Sequence, residues 1–139
     1  MKKQTKIIGL VIITILIIII LLAIFPGNSG EKHITISSDG SFTTEECESR
    51  DLKNQVIMVE SKYCSHCHET KPIFLAACET EGITPTILDL SKPQDMAQIE
   101  SLMIDIQYTP TFILGCDYYI GEKSMQDYEI NLNKFISKK

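Results

Sequence analysis

Apolar and polar residues alternate along residues 33–139 in a pattern that predicts strands and helices in turn. The compact apolar run at residues 56–59 predicts a buried strand, whereas alternation over residues 33–37 predicts a shorter one. Apolar residues near one face of residues 95–106 predict an amphipathic helix. Together the segments predict an α/β sheet domain. In chain order the predicted elements are a strand at 33–37, a helix at 43–52, a strand at 56–59, a helix at 64–80, a strand at 84–90, a helix at 95–106, strands at 111–114 and 118–120, and a helix at 125–136.

One segment near the N-terminus has a different pattern. Residues 7–25 are 19 consecutive positions without a charged side chain, and only Thr14 among them carries a polar one. As a helix this segment would be about 28 Å long, close to the ~30 Å thickness of the hydrocarbon core of a bilayer. Because a chain in lipid must satisfy its backbone hydrogen bonds internally, the segment predicts one transmembrane helix.

The charges on either side of this segment predict its orientation. Three lysines lie within residues 1–6, and an uncharged stretch, residues 26–30, follows the segment. The positive-inside rule then places residues 1–6 in the cytoplasm and exports the rest, with residues 26–32 as a tether to a domain at 33–139. A cleaved signal peptide is the alternative. The length of the apolar run and the lack of an A-x-A-like site favour the anchor.

The charge of the remaining chain excludes two classes of partner. All 18 acidic residues but only 10 of the 13 basic ones follow Gly30, which gives residues 31–139 a formal net charge of −8. This composition argues against nucleic-acid binding and against a polybasic surface for lipid headgroups. The length of this part suits one small domain.

The candidate chemistry lies at the sequence Cys64-Ser65-His66-Cys67, between a predicted buried strand and a predicted helix. A cysteine at a helix N-terminus is stabilised as a thiolate by the helix dipole and by unpaired N–H groups. A second cysteine one turn later is close enough to form a disulfide with it. We therefore interpret Cys64 as the attacking thiol and Cys67 as the resolving thiol of a redox pair. His66 and His68 add positive charge nearby when protonated.

Two other interpretations of this motif stay open. One is a purely structural disulfide. The other is a zinc site made of Cys64, His66, Cys67 and His68, but these four cannot all converge if a helix begins at Cys64, and no second C-x-x-C supplies further ligands. We expect the redox pair, with no metal and no organic cofactor.

Residues 55–137 resemble the thioredoxin superfamily. The C-x-x-C motif follows the apolar strand, and Pro72 lies five residues past Cys67, where thioredoxins carry the proline that kinks the active-site helix. The segment Tyr108-Thr109-Pro110-Thr111-Phe112 is similar to the family's cis-proline segment, which packs against the active-site disulfide and begins a strand.

This resemblance implies a fold and a set of roles. The fold would be thioredoxin-like, a central mixed β-sheet flanked by helices, and the activity that of a protein disulfide oxidoreductase. Pro110 would follow a cis peptide bond, and the backbone of Thr109 would hydrogen-bond an extended substrate chain beside Cys64.

Several positions depart from the family's usual pattern. Tyr63 stands where thioredoxins have Trp, and Ser65-His66 where they have Gly-Pro. A His before the second Cys resembles the disulfide oxidases and isomerases, which indicates a more oxidising pair. The family's buried carboxylate is replaced by Met58. Glu60, two residues later on the same strand face, is either a replacement base or a solvated residue at a strand end.

Three further cysteines, Cys47, Cys78 and Cys116, lie outside the motif. In an oxidising compartment two of them would form a structural disulfide, and the sequence does not determine which two. Cys78 would lie roughly 16 Å from Cys67 along one helix, too far for a bond. The alternative is that all three are small buried hydrophobic residues.

The sequence thus predicts a membrane-anchored, extracytoplasmic thiol–disulfide oxidoreductase. Its partners would be thiols and disulfides of exported or membrane proteins, including a membrane redox partner. A non-catalytic binding module with a thioredoxin fold, and a Cys/His metal-binding domain, are the alternatives. The direction of electron transfer stays open.

Overall fold

The computed structural model describes Ile15 and residues 32–139. The chain divides into two compact units, Met1–Lys32 and His33–Lys139. The predicted transmembrane helix at 7–25, with its cytoplasmic segment and tether, lies outside the described residues except for Ile15, which is helical, and Lys32. Among the described residues, no helix has the length and apolar character needed to cross a bilayer. The membrane anchor therefore stays a prediction.

The second unit contains each strand and helix that the sequence predicted, with shifted bounds, and two short strands that it did not predict, at residues 40–41 and 104–106. Its bounds are β1 Ile34–Ile36, β2 Gly40–Ser41, α1 Thr44–Ser49, β3 Val56–Glu60, α2 Ser65–Thr80, β4 Thr86–Asp89, α3 Pro93–Ser101, β5 Ile104–Ile106, β6 Thr111–Leu114, β7 Asp117–Ile120 and α4 Met125–Ser137.

A mixed sheet forms the centre of this unit. Its strand order is β2-β7-β6-β3-β4. Strand β3 pairs in parallel with β4 and antiparallel with β6, and β1 and β5 form a separate two-stranded parallel sheet. A mixed sheet between layers of helices fits the predicted thioredoxin-like fold.

Strand β3 contributes to the hydrophobic core on both faces of the sheet. Val56 and Met58 pack with residues of α2 and α4, whereas Ile57 and Val59 face a second cluster that includes Ile36 of β1. Alternate side chains of a strand point to opposite faces, and this explains why the whole apolar run is buried. The predicted inner stripe of α4 is confirmed, since Tyr128, Leu132 and Phe135 are all buried.

The predicted helix at 95–106 is wrong in its last third. Helix α3 ends at Ser101, Met103 takes a left-handed conformation with φ of 52°, and residues 104–106 form β5. Ile104 and Ile106 are β-branched and flank a polar residue, a pattern that also suits a strand. Pairing with β1, which is far away in the sequence, favours the strand over the helix for residues 104–106.

Strand β7 begins one residue earlier than predicted, which shortens the turn between β6 and β7. Gly115, with φ of 62°, begins the turn, and Asp117 is already in β7 opposite Leu114. An added Cβ at Gly115 would lie 3.0 Å from the Phe135 ring, so both the turn and the approach of α4 favour glycine here.

Asp117 is a buried carboxylate that joins three elements. It accepts hydrogen bonds from Ser41 of β2 at 2.5 Å and from Lys138, just after α4, at 2.6 Å. Lys134 of α4 lies 3.3 Å from it. Burial alone would raise the pKa of Asp117, but the bonds from Ser41 and the two lysines outweigh it and lower that pKa.

Replacing Asp117 with Asn should lower the free energy of unfolding by about 1–2 kcal/mol at pH 7, because the amide loses its charged partners. A carboxyl with a lowered folded-state pKa stabilises the fold above its unfolded pKa, near 4. This contribution is lost as the pH falls through the folded-state value. Urea unfolding at several pH values should show the difference between the two proteins shrinking below about pH 4.

Asp105→Asn is the matched control, since Asp105 is exposed on β5. Its effect should stay within about 0.5 kcal/mol. Equal effects of the two substitutions would contradict a special role for Asp117.

Candidate redox site

Cys64 and Cys67 lie where β3 gives way to α2. Cys64 is the N-cap of α2. The backbone N–H of Cys67 donates a hydrogen bond to the Sγ atom of Cys64 at 3.1 Å. The two cysteines form a disulfide with a Cα–Cα distance of 5.3 Å. A sulfur atom that caps a helix in this way receives the favourable end of the helix dipole when it becomes a thiolate.

The two sulfur-bearing residues differ in their access to solvent. Cys64 is partly exposed, whereas Cys67 is 1% exposed and belongs to the hydrophobic core cluster that also contains Phe74 and Met58. An incoming thiol or disulfide can therefore reach Cys64 but not Cys67. This asymmetry is the one expected of an attacking and a resolving cysteine.

The predicted cis-proline lies directly beside the pair. The Thr109–Pro110 peptide bond is cis, which confirms that prediction. The carbonyl oxygen of Thr109 lies 3.3 Å from the Sγ of Cys64. The backbone edge expected to bind a substrate chain thus adjoins the accessible sulfur.

Two exposed tyrosines flank a cleft on one side of this edge. Tyr63 is 82% exposed and Tyr108 is 59% exposed. With Leu90 and Ile106 they line a cavity of about 270 Å³ that reaches Thr109. Tyr63 directly precedes Cys64, while Tyr108, which the sequence analysis named only as part of the cis-proline segment, adds a second exposed ring.

The predicted tuning residue, His66, is exposed and has an acidic neighbour. Its Nδ1 atom lies 3.4 Å from the Oε2 atom of Glu122, in the loop between β7 and α4. Glu69, one turn further along α2, lies close to both. The sequence analysis missed Glu122 because it is 56 positions from His66 and belongs to no motif. His68 instead contacts the carbonyl oxygen of Lys62 at 3.4 Å.

The alternative zinc site of two cysteines and two histidines is not assembled. Within the described range, the metal-ligating atoms that converge belong to His66, Glu69 and Glu122, which lie within 4.8 Å of one another and are all exposed. Cys64 and Cys67 are bonded to each other instead.

Glu60 lies at the end of β3 and is mostly buried there. Its Oε1 atom accepts a hydrogen bond of 2.6 Å from the Nζ atom of Lys71, and its side chain is 15% exposed. Lys71 follows Cys67 by one turn of α2. Glu60 therefore forms an ion pair that joins β3 to α2, and does not stand free in solvent at the strand end. Its role as a base stays a prediction.

The predicted additional disulfide joins Cys47 and Cys116. It links α1 to the turn after β6, at the opposite end of that strand from Pro110. Cys78 has no disulfide partner in the described part of the chain and is fully buried. Burial raises the pKa of the Cys78 thiol to about 11, so it is a poor nucleophile near neutral pH.

No protein-family model and no curated protein matches the chain. Among solved structures it is similar to the thioredoxin of Malassezia sympodialis, with 16% identity over 73% of this chain and 88% of that one and a TM-score of 0.45. It is also similar to the thioredoxin of Aeropyrum pernix, with 18% identity over 64% of this chain and 82% of that one and a TM-score of 0.42. Similarity at this level carries no argument about activity, which must come from the site itself.

After reduction, Cys64 should be alkylated by iodoacetamide several times faster than Cys67 or Cys78 at pH 7. The reason is that Cys64 is the accessible thiol at the helix N-terminus, whereas the other two are buried. Mass spectrometry of timed samples measures the three rates. Alkylation of Cys67 at the same rate as Cys64 in the folded protein would contradict the assigned asymmetry.

Proposed function

We propose that this protein is a thiol–disulfide oxidoreductase that exchanges disulfides with protein substrates through Cys64 and Cys67. One observation carries the proposal. The accessible sulfur of the pair caps a helix and lies 3.3 Å from the backbone of Thr109, next to the cis-proline. A substrate chain bound along this edge would present its sulfur to Cys64.

In the reducing direction, the Cys64 thiolate attacks one sulfur of a substrate disulfide. A Cys64–substrate disulfide forms, and the other substrate sulfur leaves as a thiolate. The Cys67 thiolate then attacks the Sγ of Cys64, which releases the second substrate thiolate and forms the Cys64–Cys67 disulfide. Two electrons pass from the cysteine pair to the substrate, whose thiolates take up two protons.

The oxidising direction begins from the disulfide-bonded state. A substrate thiolate attacks the Sγ of Cys64, and Cys67 leaves as a thiolate. A second substrate thiolate then attacks the substrate sulfur of the mixed disulfide, forms the substrate disulfide and releases Cys64. The two electrons and two protons of the substrate pass to the cysteine pair. Tyr63, Thr109 and Pro110 would shape the docking edge in both directions.

The proposed location is the outer face of a membrane, with the domain held by residues 7–25. The apolar run and its lysine flank support the anchor. The Cys47–Cys116 disulfide supports an oxidising compartment, because Cys47 is fully buried and such structural bonds are rare in the cytosol. The proposed substrates are therefore exported proteins or a membrane redox partner.

A Cys67→Ser variant should accumulate mixed disulfides with substrate proteins, because no resolving thiolate remains to release them from Cys64. The full-length protein in detergent micelles would be incubated with scrambled ribonuclease and analysed by non-reducing electrophoresis. Cys64→Ser/Cys67→Ser is the matched control and should capture nothing. Absence of captured substrate with a Cys67→Ser variant that keeps the wild-type unfolding transition would count against the proposed function.

The reduction potential of the pair should become more negative by about 20 mV in a His66→Ala variant. An exposed charge near the thiolate is worth up to about 1 kcal/mol, and 30 mV corresponds to about 1.4 kcal/mol for two electrons. Equilibration with glutathione at about pH 6 measures both proteins. A separate wild-type measurement at pH 7 would indicate an oxidant or isomerase with a value near roughly −120 to −180 mV, and a reductant with a value near roughly −270 mV. An unchanged or more positive value in the variant would refute tuning by His66.

A further inference from the structure

The two sides of the candidate site carry different side chains. The cleft between Tyr63 and Tyr108 lies on one side of Thr109. A second cavity, of about 240 Å³, lies against Thr109 and Pro110 and is lined by His66, Gly121 and Glu122. A substrate chain extended along the cis-proline edge would place neighbouring side chains in both cavities.

The fold places Glu122 in this second cavity through a defined turn. Strand β7 ends at Ile120, opposite Thr111. The N–H of Gly121 then donates to the carbonyl oxygen of Pro110 at 2.8 Å, and its φ of 78° is one that favours glycine. The next residue, Glu122, is therefore held next to the cis-proline, with its side chain 48% exposed.

The charge of this cavity is negative on balance. The Glu122 carboxylate lines the cavity and the Glu69 carboxylate lies within 4.8 Å of it, whereas His66 contributes at most one positive charge. Lys123 is adjacent in sequence but binds Asp39 at 2.9 Å. Lys62 lies over the ring of Tyr63, with its Nζ atom 4.8 Å from the ring centre, and Tyr63 does not line this cavity.

We infer that Glu122 is a specificity-determining residue, which selects protein substrates with a lysine or arginine next to the cysteine that bonds to Cys64. The inference rests on the proposed function and names its substrate class. At neutral pH lysine and arginine are fully charged, whereas histidine side chains in general are only partly so. A substrate cation is thus a stronger partner for the Glu122 carboxylate than a neighbouring imidazole, and Glu69 adds to the attraction.

The size of the preference follows from the exposure of the carboxylates. An exposed ion pair changes a rate or equilibrium by a factor of about three to five. A lysine beside the cysteine should therefore favour exchange about threefold to fivefold over glutamine. A glutamate there should disfavour it by a similar factor through repulsion.

The test uses the full-length Cys67→Ser variant in detergent micelles, with Cys64 blocked as a mixed disulfide with thionitrobenzoate. A peptide thiolate attacks the Sγ of Cys64, forms a Cys64–peptide disulfide and releases the coloured thionitrobenzoate anion. The probes are short peptides with one cysteine and with lysine, glutamine or glutamate directly before or after it. Each rate is divided by the rate of the same peptide with the mixed disulfide of 2-mercaptoethanol and thionitrobenzoate, whose 2-mercaptoethanol half is uncharged, which removes differences in intrinsic thiol reactivity.

The expected result is a normalised rate order of lysine over glutamine over glutamate at one of the two positions, and a smaller difference at high salt. Glu122→Gln should reduce the lysine-to-glutamate ratio about threefold or more, and Glu122→Lys should reverse the order. Glu79→Gln removes the same charge at the far end of α2, where Glu79 is exposed, and should leave the ratio unchanged.

Equal normalised rates for all peptides, or an order that Glu122→Lys leaves unchanged, would overturn the inference while exchange at Cys64 still supports the proposed function. A preference for glutamate in the wild-type background would overturn it as well. Release of thionitrobenzoate no faster than from the 2-mercaptoethanol disulfide, for every peptide, would overturn both.

Discussion

The antiparallel pairing of β3 with β6 is the constraint on which the candidate site depends. In this register Val59 lies opposite Thr111, so the end of one strand and the start of the other meet at one edge of the sheet. Cys64 follows β3 by a short loop, and Pro110 immediately precedes β6. A one-residue slip would turn the alternate side chains of both strands to the wrong faces, so the buried faces of the sheet also fix the distance between Cys64 and Thr109.

Packing on one face of the sheet fixes the direction in which α2 leaves this edge. The rings of Phe74, Phe112 and Tyr128 lie 4.8 to 5.2 Å apart, centre to centre, and join α2, β6 and α4. The hydroxyl groups of Thr70 and Tyr128 are 2.6 Å apart and hydrogen-bonded within this core. Since the aromatic cluster orients the helix axis, it also orients the helix N-terminus that Cys64 caps. The core therefore contributes to the chemistry as well as to stability.

The sequence predicted the features that are encoded locally. Cys64, Cys67 and Pro110 belong to short motifs, and the compact apolar run at residues 56–59 predicts the buried strand that precedes Cys64. Features that need a partner far along the chain could not be predicted in this way. These are the pairing of β5 with β1, the bond between Cys47 and Cys116, and the contacts Glu60–Lys71 and His66–Glu122.

The two disulfides of the domain have separate environments, which lets one react while the other preserves the fold. A thiolate must approach along the S–S axis, so an accessible sulfur is required for exchange. Cys64 offers one beside an open cleft, whereas Cys47 is fully buried in the cluster that contains Ile57 and Val59, and its partner Cys116 is partly buried against the same cluster. Its bond to Cys116 closes a loop of 69 residues, and loops of this length strongly restrict the unfolded chain. Reduction of the Cys64–Cys67 disulfide leaves the Cys47–Cys116 bond intact. The restriction on the unfolded chain therefore stays in place. In the proposed function this separation allows the redox pair to cycle without loosening the sheet edge that presents it.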